Sequence, residues 1–112
     1  MQFRSTHALM RSLFICGLAF SAMALSAAES ENFDAAEKYQ STCYACHTAG
    51  AAHAPMIDDT IEWEIRLEKG LDTLVQSTIN GLNGVMPARG LCTDCSDSEL
   101  KEIVEYMLKM SQ

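Results

Sequence analysis

Basic residues are scarce in this 112-residue chain: eight lysines and arginines face fifteen aspartates and glutamates, a net charge of −7. That balance excludes a nucleic-acid-binding surface and speaks against attraction to anionic membranes. There are only two prolines and one tryptophan, and aromatics are 7% of the residues. No alternating run of β-branched and aromatic residues signals a strand, and no internal repeat is visible. Nor does any serine or cysteine nucleophile stand beside a base, and the carboxylates are scattered over helix faces as solvated surface. At this length the chain holds one domain at most.

One long apolar run exists, over residues 12–25, and it is too short to span a bilayer easily. Arg4, His7 and Arg11 precede or flank it, and Ser26-Ala27-Ala28 follow. Residues 1–28 therefore read as a signal peptide cleaved before Glu29, with an uncleaved anchor as the other reading. Cys16 follows Ile15 rather than a small residue, which argues against lipoprotein processing. The expected mature domain is 29–112, with six basic residues against fifteen acidic ones, a net charge of −9. It keeps four cysteines in an oxidising compartment.

Against that background Cys43-Tyr44-Ala45-Cys46-His47 stands out. Two cysteines three apart, with histidine directly after the second, form the attachment signature of a c-type haem. On one helical turn both thiols share a face and reach the two vinyl groups of one porphyrin edge. His47 then lies under the ring, placed to ligate the iron. A redox dithiol or half of a zinc site has no need of that histidine.

Four short helices are expected around it. The first is capped by Asn32 and covers about residues 33–40; the second, opened by Asp58, Asp59 and Thr60, ends near Gly70. The third covers residues 71–80, with Leu71, Leu74, Val75 and Ile79 as its stripe. The last follows the capping box Ser96-Asp97-Ser98-Glu99 and carries Leu100, Ile103, Val104, Met107 and Leu108 at helical spacing. Residues 48–54 are small and flexible, and three glycines with a proline keep residues 81–90 out of regular structure.

The second iron ligand is sought among four methionines, Met56, Met86, Met107 and Met110. Met107 belongs to the apolar stripe of the last helix, Met110 to its end, and Met56 follows His47 too closely to cross the ring. Met86 sits in the glycine-rich loop beside Pro87, which fixes the backbone there. A ligating imidazole usually donates its other nitrogen to a carbonyl, and Pro55 offers the natural one. His53 reads as a surface residue. Cys92 and Cys95, followed by Ser96, lack the histidine of a second haem site. They can form a local disulfide, with a labile redox pair or a zinc site shared with Cys43 and Cys46 as the other readings.

These stretches together resemble a class I c-type cytochrome, of the cytochrome c5 type, over the whole of 29–112. The resemblance rests on the haem signature, Ala54-Pro55, Trp63, Lys69-Gly70, the Met86-Pro87 loop, the Cys92/Cys95 pair, Ser98-Glu99-Leu100 and Tyr106-Met107. It implies an all-α fold whose first and last helices cross beside one covalently bound haem c. It also implies His47 and Met86 as axial ligands, a disulfide between Cys92 and Cys95, and an electron shuttle in the periplasm serving respiratory reductases or oxidases. A six-coordinate iron leaves no position for substrate, so electron transfer is expected and catalysis is not. A haem enzyme or gas sensor in which Met86 dissociates is the alternative. The acidic charge suits partners with basic docking surfaces, meeting the exposed haem edge beside residues 48–54.

Overall fold

A computed structural model of the chain describes residues 32–112, so the expected signal peptide over residues 1–28 lies outside the described residues. The elements are α1 (Ala35–Lys38), a π-helical turn (Tyr39–Cys43), α2 (Tyr44–His47), α3 (Thr60–Leu67), α4 (Leu71–Asn80) and α5 (Asp97–Met110). Short 3₁₀ turns occupy Ala51–His53 and Ala88–Leu91. No strand occurs among the described residues, only an isolated bridge between Leu82 and Met86. None of their helices is long and apolar enough to cross a membrane. The fold is all-α, and because α1, the π turn and α2 run on without a break, the helical units are the four expected.

The first cap is Asp34, not the expected Asn32. Its carboxylate accepts from the N–H groups of Ala36 and Glu37 at 2.9 and 3.0 Å. Asp34 stands directly before the first helical residue, where a charged acceptor also suits the positive helix end. Thr42 donates its hydroxyl to the Lys38 carbonyl at 2.7 Å, at the start of the wider turn. Tyr39, Cys43 and His47 follow at intervals of four and are all buried.

α5 is the framework. Ser96 accepts from the Glu99 N–H at 3.2 Å, and the Glu99 carboxylate accepts from the Ser96 N–H at 2.6 Å, completing the capping box. Leu100, Ile103, Val104, Met107 and Leu108 are all buried. Each such side chain removed from water contributes about 1.5–3 kcal/mol before the chain entropy is counted. The first helical run meets α5 through the Tyr39 and Tyr106 rings, whose centroids are 5.7 Å apart. Lys38 pairs with Asp94 at 2.7 Å just ahead of α5, and Thr60 donates to the Ser111 carbonyl beyond its far end.

In α3 the pair Ile61 and Ile65 faces solvent, 71% and 54% exposed. Trp63, on another side, is buried and donates its indole N–H to the Met56 carbonyl at 2.7 Å. Helical spacing alone is therefore a poor guide to the buried face of α3.

Candidate cofactor site

Burial disfavours the charged forms of Cys43 and His47. The Cys43 thiol is pushed up by burial, with the Thr42 hydroxyl offsetting part of the effect. His47 is pushed down, by burial first; its bond to the Pro55 carbonyl offsets part of this and the nearby Arg66 charge adds to it, so the neutral imidazole is favoured. Its Nδ1 donates to the Pro55 carbonyl at 2.8 Å because a carbonyl can only accept. The other nitrogen, Nε2, keeps its lone pair. The following chain wraps back over this residue, with the Ile57 N–H donating to the His47 carbonyl at 2.7 Å. Trp63 lies alongside, ring centroids 6.1 Å apart.

Cys43, Cys46, His47 and Met86 all line one cavity of about 410 Å³, with Pro55, Ala51, Ala52, Leu82, Val85 and Leu91 around them. A smaller recess of about 70 Å³ shares Cys43, His47 and Met86, and reaches Leu100, Ile103 and Met107 of the core. Of the four candidate methionines, Met86 is the one that lines both the cavity and the recess. Met56 is partly exposed and its side chain lies over Gly50 instead, Met107 is in the core, and Met110 is exposed. His53 is exposed on the cavity rim, where Ala51 and Ala52 are exposed as well.

The segment that presents Met86 is built from unusual backbone. Leu82 and Met86 exchange two N–H···O bonds, at 3.0 and 3.1 Å, around Asn83 and Gly84, both with positive φ. Asn-Gly is the pair favoured by such tight turns. Gly81, at φ 79°, packs so closely that an added Cβ would lie 2.7 Å from the Met86 carbonyl. Farther on, Arg89, Gly90 and Leu91 are three successive left-handed residues at φ 63°, 56° and 70°. For the two that are not glycine this costs about 1–2 kcal/mol each. The side-chain face of Gly90 looks at the Met86 methyl and the Cys43 sulfur, 3.7 and 3.8 Å from where a Cβ would stand.

Beyond this segment the Cys92 and Cys95 sulfurs lie at bonding distance, with Cα atoms 5.4 Å apart. A zinc site shared by all four cysteines is not formed: among the described residues, Cys92 and Cys95 group with Asp94 and with neither Cys43 nor Cys46.

The residues fit a haem. The lining is mostly apolar and suits a flat macrocycle, two thiols and a free imidazole nitrogen stand together, and a thioether is available. Arg66, which sequence reasoning passed over, supplies an independent indication. It lines the cavity, it bonds Glu62 at 2.6 Å, and its Nε is buried without a partner. Such a donor calls for an acceptor, and haem carries carboxylates. A single arginine on a helix reads as surface charge in sequence, so only tertiary placement exposes this role.

A family model described as cytochrome c oxidase, cbb3-type, subunit III matches residues 32–107. Cytochrome c5 of Ectopseudomonas mendocina is 46% identical over 67 residues, covering 58% of this chain and 76% of that protein. Cytochrome c5 of Azotobacter vinelandii is 42% identical over 76 residues, covering 66% and 87%. A mono-heme ferrocytochrome c from Shewanella putrefaciens superposes with a TM-score of 0.61 at 45% identity, over 70% of this chain and 95% of that one. A chain from the crystal structure of an electron transfer complex of nitrite reductase with cytochrome c gives 0.64 at 36% identity, over 72% and 100%.

Proposed function

The chain belongs to the class I c-type cytochromes, carries one covalently bound haem c and transfers electrons rather than catalysing a reaction, and from that premise we propose how its residues do so. Cys43 and Cys46 would hold the haem through thioethers, and His47 Nε2 and the Met86 sulfur would ligate its iron. When bound, the group supplies a one-electron couple, and methionine ligation favours a higher potential than two nitrogen ligands. Pro55, through its carbonyl, fixes the tautomer and orientation of His47. The apolar lining would limit water around the group, and Arg66, whose Nε is buried without a partner, would pair with a haem carboxylate. The bond between Cys92 and Cys95 closes the segment that follows the Met86 loop.

The observation that carries this reading is the convergence of Cys43, Cys46, His47 and Met86 on one cavity. With His47 and Met86 both ligating, no position would be left for a substrate, which suits outer-sphere transfer. The alternative, in which Met86 leaves and opens the iron, differs in one cheap observable: carbon monoxide binds the reduced protein readily.

Residues 1–28 direct export, 29–112 form the haem domain, and the mature protein works in the periplasm. Its partners are respiratory reductases or oxidases that present basic surfaces to its net charge of −9. Contact is made at the cavity mouth, where exposed Ala51, Ala52, Val85 and Leu91 offer a small apolar patch without a carboxylate in its lining. Intact mass and extraction test the assignment together. The mass expected is that of Glu29 to Gln112 plus one haem, less two hydrogens for the disulfide. Haem that passes freely into acidic organic solvent would refute the thioethers.

A further inference from the structure

The left-handed turn at residues 89–91 packs on α4 and on the π turn through buried Gly90, but Leu91 at its end is 62% exposed. Backbone bonds close it, Gly90 N–H to the Pro87 carbonyl at 3.0 Å and Cys92 N–H to the Arg89 carbonyl at 2.9 Å. A non-glycine residue stays in such a conformation only where its surroundings over-determine it. Here packing on α4 holds the middle of the turn, and the Arg89 side chain ties its start to α5. One guanidinium nitrogen donates to the Cys95 carbonyl at 2.5 Å, and the other pairs with the Asp97 carboxylate at 2.9 Å. Asp97 is the first residue of α5, and Cys95 stands two residues before it, so the fork is fixed to the best-packed part of the molecule. Met86 is three residues before Arg89, and its methyl lies against the glycine in the middle of the turn.

We propose that Arg89 is a positioning residue for Met86: its two-pronged bond to Cys95 and Asp97 latches the left-handed turn onto α5 and sets how firmly Met86 is held at the iron. This rests on the reading of Met86 as axial ligand. The planar fork matters, because both donors are held at a fixed spacing, which a lysine ammonium does not reproduce. Cutting the latch raises the fraction of molecules with Met86 displaced and leaves the thioether attachment and the His47 side untouched.

Imidazole titration of the ferric holoprotein measures that fraction, because added imidazole binds only where Met86 has left. Its apparent dissociation constant is the intrinsic one divided by the open fraction. Arg89→Ala is expected to tighten apparent imidazole binding about tenfold, the effect of a tenfold rise in open fraction. Arg89→Lys should recover only part of the difference. Asp97→Asn keeps the carbonyl prong and should fall between wild type and Arg89→Ala, and it serves if Arg89→Ala accumulates poorly. Leu108→Ala is the control, since Leu108 is buried in α5 but lines neither the cavity nor the recess, and its loss loosens α5 packing without touching the latch. An Arg89→Ala titration no tighter than that of Leu108→Ala overturns the proposal and leaves Arg89 a structural residue. A wild-type protein lacking the weak long-wavelength band of methionine-ligated ferric haem overturns the Met86 reading itself, and the latch with it.

Discussion

α5 and the segment from Gly81 to Leu91 meet in space and are built by opposite means. α5 has a capping box, regular spacing and five buried apolar side chains, and every local preference agrees with its final state. The Met86 segment contains six residues of positive φ, three of them not glycine, and much of its apolar surface is exposed. The first is held by its own apolar stripe, whereas the second packs on α4 only in part and relies on specific anchors as well. This division suits a carrier: α5 supplies stability, while the segment beside it can set the position of one sulfur without carrying the core.

Changes on the two sides should separate stability from ligation. Leu108→Ala removes a buried α5 side chain that lines neither the cavity nor the recess, and should cost about 2–5 kcal/mol in denaturant unfolding, with the folded protein's spectrum unchanged. Gly81→Ala should cost about 1–3 kcal/mol, because φ is 79° and the Met86 carbonyl occupies the space needed. Unlike the core change it should also weaken the long-wavelength ferric band, since the obstruction falls on Met86 itself.

Ser96→Ala should cost about 1 kcal/mol by removing the helix cap, again without moving the spectrum. Acid probes the same end of α5. Glu99 is held below the ordinary carboxylate range by the Ser96 N–H, and Asp94 by its bond to the Lys38 ammonium. Both bind protons more weakly when folded than when unfolded. Their contribution is therefore present above the ordinary values of 4.5 and 3.8, and is lost as pH falls through the lower folded values. Lys38 shifts upward, chiefly through Asp94, so its contribution persists below 10.5 and is lost only as pH rises through its higher folded value. Thermal scans should show a decline in acid that Glu99→Gln flattens.

The smallest effect on the molecule itself is that of salt, which acts on encounter. Electron-transfer rates with a basic partner should fall as the screening length drops from about 30 Å at 0.01 M to about 8 Å at 0.15 M ionic strength. A flat profile would mean that the apolar mouth alone governs docking.

The contrast also explains what was legible in the sequence. α4 and α5 were readable because their apolar spacing and termini obey local rules. Asp59 caps α3 as expected, accepting from the Glu62 N–H at 3.1 Å. The haem signature announced the site. Asp34 was passed over because Asn32 offered an equally good side chain two residues earlier, and nothing local marks the π turn. The tight turn at Asn83-Gly84 carried a readable signal, which the general glycine content of the segment masked. Arg66 and Arg89 were not legible, because each acquires its role from a cavity or helix end that only the fold brings to it.

The most direct test of this division of labour is the ferric absorption spectrum of Met86→Ala beside that of the wild type, with haem extraction and unfolding measured on the same samples. The account predicts that the mutant loses the long-wavelength band and has a lower potential. Its haem should stay bound in acidic organic solvent, and α5 should remain helical until global unfolding. Retention of the band in Met86→Ala would contradict it, and would move the sixth ligand to Met56.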